Sequence, residues 1–226
     1  MEPQTSGGPR NGGVSFWWQQ VGVPGRRPGL DGDLECDVCI VGGGLTGLWT
    51  AYHLLAERPD LDVVVLDAEF AGYGASGRNG GWLSAGLSGS KERYAATHGV
   101  EGVRALVSAM ERTVDDVLAV CVDEGIDVQA VKNGVVRVAR SDAQLVRLRE
   151  SLAADARFGI GADHHREISA SELRERLVVD GARGAIFSPH GARVQPALLV
   201  GGMADAVERR GVRILEGTRA SRVEPR

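Results

Sequence analysis

The segment Gly42-Gly43-Gly44-Leu45-Thr46-Gly47 leaves a chain few ways to fold. It follows a short apolar run, Val38-Cys39-Ile40-Val41. It opens a stretch with helical spacing, Leu45, Leu48, Ala51, Tyr52 and Leu55, which Pro59 ends. Val63 to Leu66 is a second run of branched residues, the mark of a buried parallel strand. Residues 37–67 therefore read as β–α–β. In such a unit Gly42 allows the tight turn, Gly44 lets backbone approach a pyrophosphate, and Gly47 lets the helix pack closely on the strand. The free N–H groups and partial positive charge of the helix start favour phosphate. Asp67 ends the second strand, twenty residues after Gly47, where a carboxylate can accept from a ribose hydroxyl. A plain strand–helix turn leaves Asp67 without a role, and Asp rather than Arg argues against a 2′-phosphate.

A second constellation, Gly72-Tyr73-Gly74-Ala75-Ser76-Gly77-Arg78-Asn79-Gly80-Gly81-Trp82, begins five residues past Asp67. Residues 68–90 are too long and too rich in Gly and Ser for an idle connection. Glycine permits close backbone approach to a flat or charged ligand, Ser76, Arg78 and Asn79 supply donors, and Trp82 could wall a pocket. The loop sits where the strand ends, the place at which α/β sheets bind ligands.

Further along, a helix is expected over 100–124, with Val103, Leu106, Val107, Met110, Val114, Val117, Leu118 and Cys121 as its apolar stripe and Gly125 closing it. Asn133-Gly134 signals a hairpin between two short strands. Ser141 and Ser171 read as helix caps. Ala185-Ile186-Phe187 reads as a strand, Pro196 as a helix start, and 212–215 and 219–223 as further strands. Residues 1–13 are Gly- and Pro-rich and are expected to be disordered, whereas Phe16-Trp17-Trp18 is expected to dock on the body.

Together, Ile40 to Gly47, Leu66-Asp67-Ala68 and Gly74 to Gly81 resemble the D-amino-acid-oxidase-type FAD-dependent oxidoreductases and, among them, the gamma-glutamylputrescine oxidoreductase-like branch. Phe16-Trp17-Trp18, Gly191 to Leu199, Gly211-Val212 and Glu216-Gly217-Thr218 share the resemblance, which spans 16–224. It implies an α/β fold: an FAD/NAD(P)-binding Rossmann-like βαβ domain with the start of an α+β substrate domain, incomplete relative to the family. The implied division is 14–127 for the FAD-binding part with flavin loop and long helix, 128–190 for an inserted portion of the substrate domain, and 191–226 for the truncated return. Gly42, Gly43, Gly44, Thr46 and Gly47 would hold the pyrophosphate and Asp67, followed by Ala68, the adenosine ribose. Gly74, Ala75, Ser76, Arg78, Asn79, Gly80 and Gly81 would line the phosphates and flavin, and the 218–222 stretch, with Ala220, would meet the adenine through backbone. Asp67 is shorter than the Glu usual in the family, and Ala220 stands where Val is common. Some relatives link flavin through His or Cys; residues 68–90 contain neither, so FAD is expected to be non-covalent.

The implied function is oxidation of a small amine or amino acid at a C–N bond by hydride transfer to flavin. Alternatives are an NAD-binding dehydrogenase, which leaves 72–82 without a role, and an inactive nucleotide-binding fragment, since the family normally continues beyond 226 residues. No catalytic residue is assigned. His190, in a turn, is a candidate for substrate contact and Gln195 for approach to the flavin; His53 reads as packing or surface, and His98, His164 and His165 as solvated. No metal-ligand spacing is read. Cys36-x-x-Cys39 lies in or before a strand, where residues three apart point to opposite faces, and so reads as structural. A net charge of −4 with scattered arginines gives no drive toward nucleic acid or anionic membrane, and no run approaches the roughly 20 apolar residues of a span. Three cysteines argue against a disulfide framework, which gives a cytoplasmic expectation.

Overall fold

Along the chain run α1 (Phe16–Val21), β1 (Val38–Val41), α2 (Leu45–Glu57), β2 (Val63–Leu66), β3 (Trp82–Ser84), α3 (Lys91–Asp123), β4 (Val135–Ala139) and α4 (Asp142–Ala156). Then follow β5 (Arg166–Ile168), α5 (Ala170–Arg176), β6 (Gly184–Ser188), β7 (Gly191–Arg193), α6 (Pro196–Arg209) and β8 (Arg213–Leu215). The structure, a computed structural model, describes residues 13–224. The expected disorder of 1–13 therefore lies outside the described residues, save Gly13, which sits in a turn. The described residues form two units: 13–81, 121–129 and 194–224 make the first, and 82–120 with 130–193 the second. This division differs from the expected one, because most of α3 groups with the second unit rather than with the nucleotide-binding part.

The first unit is built on a parallel sheet in the order β1-β2-β8, with Val38 opposite Val63 and Val65 opposite Ile214. As the central strand, β2 is covered on both faces, which is why Val63, Val64 and Val65 are uniformly apolar and buried. Helices α2 and α6 pack on each other. Leu48, Leu55, Val200, Met203 and Val207 fill the core, each burial favouring the fold by roughly 1.5–3 kcal/mol. Pro196 opens α6, and Gln195 caps it by accepting from the Leu198 N–H at 2.9 Å.

The aromatic arm docks within this unit, though unevenly. Trp18 is buried edge-on against Phe70, and its Nε1 donates to the Gly72 carbonyl; Trp17 donates to the Asn79 carbonyl at 2.6 Å, while Phe16 stays exposed. A second tie follows at Arg27, whose guanidinium meets Asp205, Glu208 and the wholly buried carboxylate of Glu216. Glu216 also accepts from the Arg27 N–H at 2.8 Å and the Ala71 N–H at 3.0 Å.

The second unit holds an antiparallel sheet in the order β4-β6-β5 and a separate β3-β7 pair. Ile168, Leu173 and Ala185 form one core cluster, and Val103, Val107, Phe158 and Ile160 another. Helix α3 is broken at Gly99 (φ 68°), so the expected helix from residue 100 is its second segment, with Val103, Val107, Val114 and Cys121 buried. Burial pushes the Cys121 thiol up to about 11.

Four expectations are corrected. Asn133-Gly134 does not make a hairpin: the Gly134 N–H donates to Gly191, Val131 bridges Arg193, and β4 pairs with β6 instead. Ser169, not Ser171, caps α5; its extended backbone lets Oγ reach the Glu172 N–H at 3.1 Å. Residues 219–223 form no strand; they are exposed and have no ladder partner among the described residues. Cys36 and Cys39 do not part to opposite sides, because Cys36 precedes β1; burial raises the Cys39 thiol, and the neighbouring Cys36 thiol raises it further.

Removing one side of a buried, hydrogen-bonded charge leaves the other uncompensated. Glu216→Ala is expected to lower stability by about 3 kcal/mol in urea unfolding. Asp205→Ala, which touches the same arginine from an exposed position, should cost less than about 1 kcal/mol. Equal costs would show that Glu216 is not the organising partner.

Candidate functional site

In the first unit the turn after β1 is held from several directions. Gly42 adopts φ +108°, and its N–H donates to the Leu66 carbonyl at 2.7 Å, which joins the turn to the end of β2. A Cβ on Gly47 would sit 2.1 Å from the Gly42 carbonyl oxygen and 3.1 Å from Ile40 Cγ2, so only glycine lets α2 start this close to β1. Gly44 caps α2 through backbone alone, and Thr46 is exposed in its first turn.

The Asp67 carboxylate faces this turn. Oδ2 accepts from the Gly43 N–H and Oδ1 from the Glu69 N–H, both at 2.8 Å. Each oxygen accepts more than one hydrogen bond, so the half-buried carboxylate keeps capacity for further donors. Ala68 follows it. Thr218 donates its N–H to the Asp67 carbonyl at 2.8 Å and Gly217 to that of Glu69, which carries the segment leading to the exposed Ala220 past the same point.

The glycine loop converges there too. Gly74 leads into a single helical turn, Ala75–Gly77. Ser76 Oγ accepts from the Leu45 N–H at 2.9 Å, directly on the start of α2, and its own O–H remains to donate. Three sequence features, the glycine turn, Asp67 and Ser76, are thus joined by hydrogen bonds around one helix N-terminus.

The remaining polar residues of the loop serve differently. Asn79 donates to the Ser76 carbonyl at 2.9 Å and accepts from the Gly81 N–H at 2.8 Å, so its amide shapes the loop. Arg78 donates to the Tyr73 carbonyl and stacks on the Tyr73 ring at 4.4 Å, on an exposed face. Gly80 is exposed, and Gly81 (φ +74°) accepts from the Val194 N–H. Gln195 is held between the cap of α6 and the Trp17 carbonyl.

A parallel strand, a glycine turn opening a helix and a carboxylate at the end of the next strand make a dinucleotide-binding βαβ unit. The chain belongs to the FAD dependent oxidoreductase family, whose model matches residues 37–226. It is 33% identical over 195 residues to gamma-glutamylputrescine oxidoreductase of Escherichia coli K12, covering 86% of this chain and 45% of that protein. Among solved structures it is similar to L-amino acid deaminase from Proteus vulgaris, with TM-score 0.64, 23% identity and coverage of 86% and 42% of the two chains. Glycine oxidase from Bacillus cereus ATCC 14579 gives TM-score 0.61, 22% identity and coverage of 84% and 49%. The chain thus spans about half the length of the relatives it matches.

The second unit has a cavity of about 380 Å³ that sequence reading missed. Lys91, Glu111, Arg137, Asp155, His165 and His190 line it, and the exposed Trp82 stands at its edge. The buried Asp155 carboxylate lies 2.7 Å from Lys91 Nζ and 2.7 Å from His165 Nε2, though the imidazole is misaligned for a hydrogen bond. Burial lowers the His165 pKa, an effect that Asp155 partly offsets. His164 is half-buried against Glu111, so neither histidine is the solvated residue expected, whereas His53 and His98 are exposed. The available signal was Glu111 itself, an acid set at core spacing between Val107 and Val114.

Gly47→Ala must separate α2 from β1 and is expected to cost about 3 kcal/mol. Gly74→Ala, whose Cβ meets nothing within 4 Å, should stay within about 0.5 kcal/mol of the parent in the same urea series. Matching midpoints for the two variants would refute the close approach.

Proposed function

We propose that this chain is the nucleotide-holding portion of an FAD-dependent enzyme that oxidises an amine or amino acid at a C–N bond. The observation that carries the reading is the Ser76 hydroxyl seated on the first N–H of α2 while Asp67 holds the Gly43 N–H. A dinucleotide turn alone accounts for the second contact but assigns nothing to the loop that brings Ser76. In this reading Gly42, Gly43, Gly44, Thr46 and Gly47 present backbone to the pyrophosphate, helped by the start of α2. Asp67 and Ala68 take the adenosine ribose, and backbone about Ala220 meets the adenine. Gly74, Ala75, Ser76, Arg78, Asn79, Gly80 and Gly81 border the phosphates and the ring, Ser76 by donation and Asn79 by shaping the loop.

A bound flavin would supply the hydride-accepting chemistry, and the residues named above would hold it in position. Attachment is non-covalent, since residues 68–90 offer no His or Cys. The substrate class is supported by the similarity to a gamma-glutamylputrescine oxidoreductase. The second unit is assigned to the start of the substrate domain. No helix among the described residues is long and apolar enough to cross a membrane, and the three free cysteines favour a reducing, cytoplasmic setting.

Tryptophan fluorescence titration of the purified chain tests this directly. FAD and ADP should both bind, and NAD should bind at least roughly 10-fold more weakly. Acid precipitation should release the flavin into the supernatant. Ser76→Ala, which removes one donor to a charged group, is expected to weaken FAD by roughly 10-fold. Binding of NAD in preference to FAD would favour a dehydrogenase, and binding of neither would overturn the nucleotide-holding reading in favour of an inactive fragment.

A further inference from the structure

We propose that Glu111, His164 and His190 form a binding site for a divalent transition-metal cation of the zinc type. The three come from separate places in the second unit: the buried stripe of α3, the segment before β5, and the turn between β6 and β7. Their ligating atoms all lie within 4.8 Å of one another. His164 Nδ1 is 2.7 and 2.8 Å from the two Glu111 oxygens, and His190 Nε2 is 3.7 Å from Oε1. Nitrogen and oxygen ligands sit about 2.0–2.2 Å from zinc, so two ligands on one tetrahedral ion are roughly 3.3–3.6 Å apart. The His190–Glu111 separation lies close to that range, and the two shorter contacts are hydrogen bonds that an ion replaces as His164 and Glu111 part by roughly 0.6 Å.

The donor chemistry selects the ion. Two imidazoles with one carboxylate suit zinc and its first-row neighbours, whereas calcium and magnesium require oxygen ligands. Burial adds a second argument. The Glu111 side chain is only 11% exposed, and an acid at that position on α3 costs stability unless a cation faces it. His164 and His190 are each about one-quarter exposed, which leaves an entry path.

The surroundings hold both histidines. Ser188 Oγ donates to the His164 carbonyl at 2.8 Å, and His190 Nε2 lies 3.3 Å from the Asp163 carbonyl. The first contact anchors the backbone that carries His164; the second is made by the ligating nitrogen itself, so the ion takes the place of that contact. Glu111 and His190 also border the cavity lined by Lys91, Asp155 and His165. Three protein ligands with a remaining position toward a cavity define an open site, in which a water or a small ligand completes the shell. The residues are independent of the flavin-binding reading, so the two stand or fall separately.

The test is calorimetric titration of the chelator-treated 226-residue chain with zinc chloride, with cobalt(II) as a visible-spectrum probe. Cys36→Ser/Cys39→Ser serves as the background, which removes zinc capture by those thiols. One zinc per chain is expected, along with cobalt absorption characteristic of nitrogen and oxygen ligands. Glu111→Gln should weaken binding by roughly 100-fold and His190→Asn by at least roughly 10-fold. Far-UV circular dichroism and the urea midpoint report whether each variant is folded. His190→Asn, at a partly exposed turn, keeps the test decisive if Glu111→Gln unfolds. Absence of stoichiometric zinc in the Cys36→Ser/Cys39→Ser background, or wild-type affinity in folded His190→Asn, would overturn the site.

Discussion

The contact between the Asp67 carboxylate and the Gly43 N–H organises the first unit. It joins the end of β2 to the turn after β1, and it can form only because the two strands run parallel in the register that sets Val41 opposite Leu66. The Gly42 N–H bond to the Leu66 carbonyl reinforces the same junction. From that point the start of α2 is fixed in direction, and its unpaired N–H groups face one place on the surface. Ser76 then has a defined partner in Leu45, and the loop after β2 folds back over the turn instead of running free. Sheet register, helix direction and loop closure are three consequences of one junction.

A second charge, buried Glu216, performs the equivalent task on the far side of β2. It follows β8 directly and gathers Arg27 from the lead-in segment and the Ala71 N–H from the loop after Asp67. Three stretches far apart in sequence meet on one carboxylate. A wholly buried acid is costly unless satisfied, and this one accepts from two backbone N–H groups and a guanidinium. The lead-in and the 216–218 segment are thereby held beside Asp67, where the Thr218 N–H meets its carbonyl.

The cradle was legible in sequence because its determinants are local. Gly42, Gly47 and Asp67 lie within one βαβ unit, and the requirements on each, a positive φ, a missing Cβ and a strand-end carboxylate, are properties of residue type. Elements decided by distant partners were not legible. β3 and β7 are three residues each, too short for a periodic signal, and exist because Leu83 meets Ala192. Gly134 does carry the left-handed conformation that a hairpin turn requires, but the chain ahead of it is taken by Arg193 and the chain after it by β6. Gln195 sits one residue before a helix, and its capping of α6 carries no mark in the sequence beyond that position. His164 and His190 carry no local mark, since what defines them is Glu111, more than fifty residues upstream of the nearer one.

The second unit differs from the first in how it spends buried charge. In the first, Asp67 and Glu216 are satisfied mainly by backbone N–H groups, which makes them fixtures of the fold. In the second, Asp155 and Glu111 face side chains, Lys91 and three histidines, around a cavity. Apolar residues of similar size in place of these acids and their charged partners together would extend the stripe of α3 and the core about Phe158 and Ile160 without desolvating any charge. Stability therefore does not account for these acids. Side chains with adjustable torsions and titratable partners, opening on a cavity, have the properties of a site that receives a cation or a small polar molecule rather than those of a core.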